Sequence, residues 1–318
     1  MSINVNSRKF TITSPSRLHL GFYGLNDNYG YSFGSLGLAI NAYKTRLSIC
    51  PSKQFKTNIS KSYINPIIKY FKPANSCNVE INTLSLPPQH IGLGSGTQLS
   101  LCIGKAISKI MKKKLNIDQI ANIYKRGLRS GIGLELFKTG GFVVDSGKKT
   151  NELPKPILKH KFPSDWKIIL LNDKSLKGSS GSRERYFFRN KDNISFKNQN
   201  LLSEVLFRGI VPSLLHQDFT NFASNITKFQ RITSSIYRGE QKGVFLSPQI
   251  TKIMNYIKNF DNIGVGQSSW GPISYIFVES KLHAKELVNV IENKFKVYNN
   301  ITLEIVSPSN NGYKIEHT

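Results

Sequence analysis

The sequence predicts an α+β protein in two halves, residues 1–155 and 156–318, and three features carry that prediction. A strand, a glycine-rich loop and a helix follow one another over residues 78–113. Residues 148–161, KKTNELPKPILKHK, hold two prolines and several turn formers without apolar periodicity, and so mark a boundary. The chain closes on a strand, a helix and a strand, which suits a second layered unit.

Each element rests on its own pattern. Residues 9–25, KFTITSPSRLHLGFYGL, alternate apolar and polar side chains and read as a strand entering a turn at Ser14-Pro15-Ser16. YKTRLSIC and NVEINTLSLP alternate in the same way, with a helical stretch between them at 59–72. Leu99, Ile103, Ala106, Ile107 and Ile110 recur at three- and four-residue spacing and predict a helix from Gln98 to about Lys113. NIDQIANIYKRGL reads as a second helix; RSGIGLELFKTGGFVVDSG as a short helix between glycine turns, then a strand. In the second half come the strand WKIILLND, helical stretches near 198–238 and 247–258, a strand broken by a glycine-rich turn in NIGVGQSSWGPISYIFVES, and the closing helix and strand.

Composition narrows the function. A hydrophobic content of 39%, with 19 Phe and 13 Tyr, is globular, and no apolar run reaches the roughly 18 residues that span a bilayer. The first ten residues carry no apolar signal core, so a cytoplasmic protein is expected. Cys50, Cys77 and Cys102 lack paired spacing and read as reduced thiols. The net charge of +25 invites nucleic acid, yet the lysines are scattered and the densest run, MKKK at 111–114, closes a helix where cations suit the macrodipole. No specific nucleic acid is expected; such a field gathers a highly anionic small substrate.

The most informative stretch is HIGLGSGTQ, residues 90–98. Strand, glycine loop and helix form the arrangement in which helix-start amides face phosphate oxygens. Gly92, Gly94, Ser95, Gly96, Thr97 and Gln98 are the candidate phosphate-binding residues, a structural turn being the bland alternative.

Three segments, PSRLHLGF, LPPQHIGLGSGTQLSL and GVGQSSWGP, resemble the three motifs of the superfamily of galactokinase, homoserine kinase, mevalonate kinase and phosphomevalonate kinase, the GHMP kinases. Pro88-Gln-His-Ile-Gly-Leu-Gly-Ser-Gly fits the phosphate motif with Gly96 in place of a second serine. HIGLGSGTQLSL, RSGIGLELFKTGGFVVDSG and GVGQSSWGPISY together resemble one branch, the β-ribofuranosylaminobenzene 5'-phosphate synthases. The resemblance implies a GHMP kinase-like fold in two domains, an N-terminal mixed sheet with helices and a C-terminal ferredoxin-like sandwich, with the active cleft between them. It also implies a condensation of 5-phosphoribosyl 1-diphosphate with 4-aminobenzoate or 4-hydroxybenzoate, releasing CO2 and diphosphate, in the pterin branch of tetrahydromethanopterin synthesis. Magnesium is expected, ATP is not, and a homodimer fits the family.

One departure separates this chain from the kinases. Where kinases such as mevalonate kinase carry Pro-Ser-Gly-x-Asp, the chain reads Arg129-Ser130-Gly131-Ile132-Gly133, so glycine stands at the aspartate position. Phosphoryl transfer relying on that carboxylate would lose its anchor, and nearby Glu135 replaces it only if the turn is reshaped.

The remaining candidates follow from the implied reaction. Arg17 and His19 lie two apart on a strand and face one way; Arg17 suits a substrate carboxylate or 5'-phosphate, with a strand-edge salt bridge and a core histidine as the alternatives. Arg129 and Ser130 either grip the ribose phosphate or form a helix end and turn. Asp145 either holds magnesium or ribose hydroxyls or caps a turn. Gln267, Ser268 and Ser269 would cap the pocket and Trp270 stack on the aromatic acid, unless the segment is a tight hairpin around a buried ring. Glu184, with Arg183 and Arg185, lies in a glycine-serine loop that suits a lid. No residue set has structural metal-site spacing, and the metal ligands are left unassigned.

Overall fold

The structure is a computed structural model that describes residues 9–26, 29–71, 79–150, 152–178, 196–236 and 243–317. Its first body is a seven-stranded mixed sheet. Strands β1 (Phe10–Gly24), β2 (Gly34–Pro51) and β3 (Lys56–Thr57) come first, then helix α1 (Lys61–Phe71), strand β4 (Val79–Ser85), helices α2 (Ser95–Ile110), α3 (Ile117–Ile123) and α4 (Ile132–Thr139), and strands β5 (Phe142–Asp145) and β6 (Pro156–His160). The sheet order is β11-β1-β2-β4-β3, with β5 joining β2 to β6 and β11 (Lys314–His317) returning from the end of the chain. All pairs are antiparallel except β3 with β4.

The second body holds β7 (Lys167–Asp173), β8 (Ile263–Gln267), β9 (Ser274–Val278) and β10 (Ile301–Val306), paired antiparallel in the order β10-β7-β9-β8. Numbered within this unit the order is 4-1-3-2, and helices connect its first strand to the second and its third to the fourth, which is the ferredoxin-like arrangement. Helix α5 (Phe196–Val205), a π turn at Leu206–Ile210 and α6 (Val211–Leu215) run on continuously, then α7 (Phe219–Ile236) and α8 (Pro248–Ile257) precede β8 and α9 (Lys281–Lys294) precedes β10.

Three cores explain why the layers stay together. Helices α1 to α4 cover one face of the first sheet through Leu101, Ile103, Ala106 and Ile107 of α2 against Ile12, Leu47 and Ile81. Each large aliphatic side chain so buried contributes roughly 1.5–3 kcal/mol, which fixes the start of α2 in space. The strand period of two divides β7: Ile168 and Leu170 enter a core shared with Leu18 and Leu20 of β1, while Ile169 and Leu171 face α8 and α9. The two bodies are joined by that shared core.

Two expectations change. Pro15 does not end a strand; β1 runs 15 residues through it, with the register to β2 shifting between Ser14 and Ser16. The boundary at 155/156 cuts between β5 and β6, which pair, so the first sheet extends to His160 and takes back residues 314–317. Among the described residues no helix is long and apolar enough to cross a membrane, and Cys50 and Cys102 are free thiols. Cys77 lies outside the described residues.

Candidate active site at the glycine loop

The three motifs that are far apart in sequence meet at one point. The Arg17 amide donates to the Leu93 carbonyl at 3.3 Å, and the Ile273 amide to the Ile91 carbonyl at 3.2 Å. Ser268 Oγ donates to the Gly92 carbonyl (2.7 Å) and accepts from the His19 amide (3.0 Å), while the Ser269 amide donates to the His19 carbonyl (3.1 Å). Strand β1, the loop and the β8–β9 turn are thereby tied together. From the other side, the Gly178 amide donates to the His90 carbonyl at 2.8 Å.

Gly94 opens helix α2 from the left-handed region, φ 69°, where glycine has no steric penalty. Its carbonyl accepts from the Thr97 and Gln98 amides at 3.1 and 3.3 Å. The amides of Ser95 and Gly96 and the hydroxyls of Ser95 and Thr97 make no hydrogen bond within the described residues, and the first turn carries no acidic side chain. A helix start of this kind attracts anions.

Guanidinium groups surround it. Arg17 Nη1 is 3.5 Å from the Gly94 carbonyl oxygen. Arg126 Nε donates to Ser100 Oγ at 3.3 Å, and that hydroxyl donates to the Gly96 carbonyl at 2.8 Å, so Arg126 stands on the opposite flank of the loop. Arg126 is a residue the sequence reasoning missed; its one signal is a basic side chain just past a helix end, which is common.

His19, with Gln267 at the end of β8, Ser269 and Trp270 from the β8–β9 turn and Gln230 and Thr233 from α7, lines a cavity beside the loop. Its Nδ1 accepts from the Gly21 amide at 3.2 Å, which puts the ring proton on Nε2. Burial first, then the charges of Arg17 and Arg129, push its pKa down to about 3. The imidazole is neutral in the folded chain, so it serves as a hydrogen-bond donor and not as a cation. The unfolded chain binds that proton near pH 6.5, so the stability involved is complete above 6.5 and is lost as pH falls toward 3. H19Q is expected to remove this acid-side loss, so that its unfolding free energy gains on that of the wild type as pH falls from 6.5 to 4 in urea titrations; a difference that stays constant with pH would contradict the burial argument.

Several expected ligands turn inward. Asp145 is fully buried; Oδ1 accepts from the Ser35 and Gly147 amides (2.9 and 3.1 Å) and Oδ2 from the Gly131 amide and Ser35 Oγ (both 2.7 Å). A carboxylate has about four acceptor positions, and these donors fill them, so Asp145 locks the turn that launches α4 and has none left for magnesium or ribose. Burial raises its pKa to about 6 against the pull of those hydrogen bonds. Ser130 belongs to the same lock through Ser35 Oγ at 2.7 Å. Gln98, expected on the phosphate, is buried with Oε1 accepting from Ser14 Oγ (2.6 Å) and Nε2 donating to the Gly133 carbonyl (3.1 Å). Gln267 is held by the Leu246 amide at 2.6 Å and forms part of the cavity wall, while Ser268 is buried between the backbone groups it ties together. Glu135 pairs with Lys138 at 2.6 Å and Lys159 at 3.9 Å and does not stand in for the missing aspartate. Among the described residues no three His, Cys, Asp or Glu side chains converge on a metal-sized site. The loop with Arg183, Glu184 and Arg185 lies outside the described residues.

Comparison with known proteins matches these features twice over. The family descriptions "GHMP kinases N terminal domain" and "GHMP kinases C terminal" match residues 62–135 and 210–297. Mevalonate-3-kinase of Thermoplasma acidophilum, solved with mevalonate 3-phosphate and ADP bound, aligns with a TM-score of 0.68 over 98% of this chain and 99% of that one at 13% identity. Fold and loop thus define a protein of the GHMP kinase class. A β-ribofuranosylphenol 5'-phosphate synthase of Methanocaldococcus jannaschii is 32% identical over 339 aligned positions, covering 96% of this chain and 99% of its own, and one of Methanothermobacter thermautotrophicus is 26% identical over 296, covering 85% and 89%. The chain belongs to the β-ribofuranosylphenol 5'-phosphate synthase family.

Proposed function

We propose that this enzyme condenses 5-phosphoribosyl 1-diphosphate with 4-hydroxybenzoate, releasing CO2 and diphosphate and forming β-ribofuranosylphenol 5'-phosphate. The observation that carries the reading is the cationic lining of the glycine loop. The bare amides of Ser95 and Gly96 and the guanidiniums of Arg17 and Arg126 gather there, with glycine where the related kinases keep a carboxylate. The acceptor, which the sequence leaves open between the amino and hydroxy acids, is taken from the phenol in the relatives' name.

The chemistry balances without a protein base. The bond from ribose C1 to the diphosphate oxygen breaks and the oxygen keeps the electron pair, which the helix-start amides, the Ser95 and Thr97 hydroxyls and the arginines stabilise. The ring carbon bearing the carboxylate, made electron-rich by the para hydroxyl, bonds to C1. Loss of CO2 returns its bonding pair to the ring and restores aromaticity. The neutral Nε2–H of His19 and the ring of Trp270 line the adjoining cavity, whose open volume of about 30 Å³ has to widen before they can orient a benzoate there. With Asp145 saturated, magnesium is best suited to arrive on the diphosphate, where it would neutralise charge.

The test incubates purified protein with magnesium, 5-phosphoribosyl 1-diphosphate and carboxyl-labelled 4-hydroxybenzoate or 4-aminobenzoate, without ATP. Labelled CO2 that requires both substrates is the expected result, faster with the hydroxy acid. No release from either acid would overturn the proposal.

A further inference from the structure

We infer that Gly133 is a positioning residue whose missing side chain, together with that of Gly94, forms the slot that holds the Arg17 guanidinium beside the phosphate loop. The identity of the bound anion rests on the function proposed above; the slot itself rests on geometry. A Cβ placed on Gly133 would lie 2.7 Å from Arg17 Nη1 and 2.9 Å from Cζ, and one placed on Gly94 would lie 2.5 Å from Cζ and press on Nη1 as well. The guanidinium therefore occupies the volume that two side chains would otherwise fill.

Backbone conformation does not explain this glycine. Gly133 is the second residue of α4, and its φ is not positive, unlike that of Gly94. Alanine is the better residue there by helix propensity. What an alanine would meet first is the end of Arg17. The slot walls are also fixed to one another, because the buried Gln98 of α2 spans from Ser14 Oγ on β1 to the Gly133 carbonyl on α4. A carboxylate at 133 would lie against the same guanidinium and offset its charge beside the loop.

The test is a double-mutant cycle read by binding of inorganic diphosphate in calorimetry and by the KM for 5-phosphoribosyl 1-diphosphate. G133A is expected to weaken diphosphate binding and raise that KM at least tenfold, with an unchanged or higher melting temperature. In an R17A background the same substitution is expected to cost nothing further, because the group it displaces is gone. Wild-type binding by G133A, or losses that add in R17A/G133A, would overturn the slot. If G133A fails to fold, R17A/G133A is expected to fold, and its failure to do so would show that the glycine serves packing alone. A cycle that behaves as expected in a protein that releases no CO2 would keep the slot and remove the synthase reading.

Discussion

Replacing Arg17 by alanine is expected to lower kcat/KM for 5-phosphoribosyl 1-diphosphate about a thousandfold while leaving the melting temperature within a few degrees. A hydrogen bond to a charged group contributes ~1.5–3 kcal/mol, and a guanidinium fork makes two. A loss of ~4 kcal/mol is about three orders of magnitude in rate. The side chain is only half-buried, and its backbone amide, which tethers the strand to Leu93, is retained in the variant. The same substitution removes a positive charge that helps hold the His19 pKa down, so the imidazole should titrate at a higher pH in NMR. Retention of more than a tenth of wild-type turnover would place the anion elsewhere.

Asp145→Ala is expected to act on the fold instead, costing about 3–5 kcal/mol in urea unfolding. It strands the Ser35, Gly131 and Gly147 amides and the Ser35 hydroxyl, all inside a site closed to water. Against a total stability of roughly 5–15 kcal/mol this is a large share, and activity at low temperature should follow the folded fraction. Ionisation gives a second handle. Because the folded pKa of about 6 lies above the ordinary 3.8, the stability this group adds is complete below 3.8 and is lost as pH rises through 6. His19 gains over much of the same window, so the wild type should show a shallow profile that D145N and H19Q tilt in opposite directions. A parallel tilt in both variants would show that neither group is titrating as placed.

The parts of the molecule legible in the sequence are those written in local chemistry. The apolar stripe of α2, the capping pair Asn116 and Gln119 at α3 and the alternation of WKIILLND each carry their element alone. The turn that opens α2 was legible as well, since glycine spacing before an apolar helical stripe specifies it. What stayed hidden depends on partners distant in sequence. Strands β6 and β11 are four or five residues long and become strands only against β5 and β1. Gln98 and Asp145 looked like ligands because they are polar residues in a glycine-rich setting; their direction is decided by donors on other elements, Ser14, Ser35 and Gly147 among them. Gly133 was visible as an absent aspartate, but the arginine that fills its place comes from a strand more than a hundred residues earlier.

The return of β11 to β1 sets an order of events during synthesis. Thr13 pairs with Lys314 and Phe10 with His317, so β1 waits for a strand made roughly 300 residues later. At ~5–20 residues per second, the roughly 300 intervening residues take on the order of 15–60 s to translate. For that interval the outer edge of β1 presents unpaired amides and carbonyls to whatever is nearby, including the nascent chain on a neighbouring ribosome. A cell making this enzyme thus has a reason to keep its ribosomes spaced or its chaperones close until β11 has emerged.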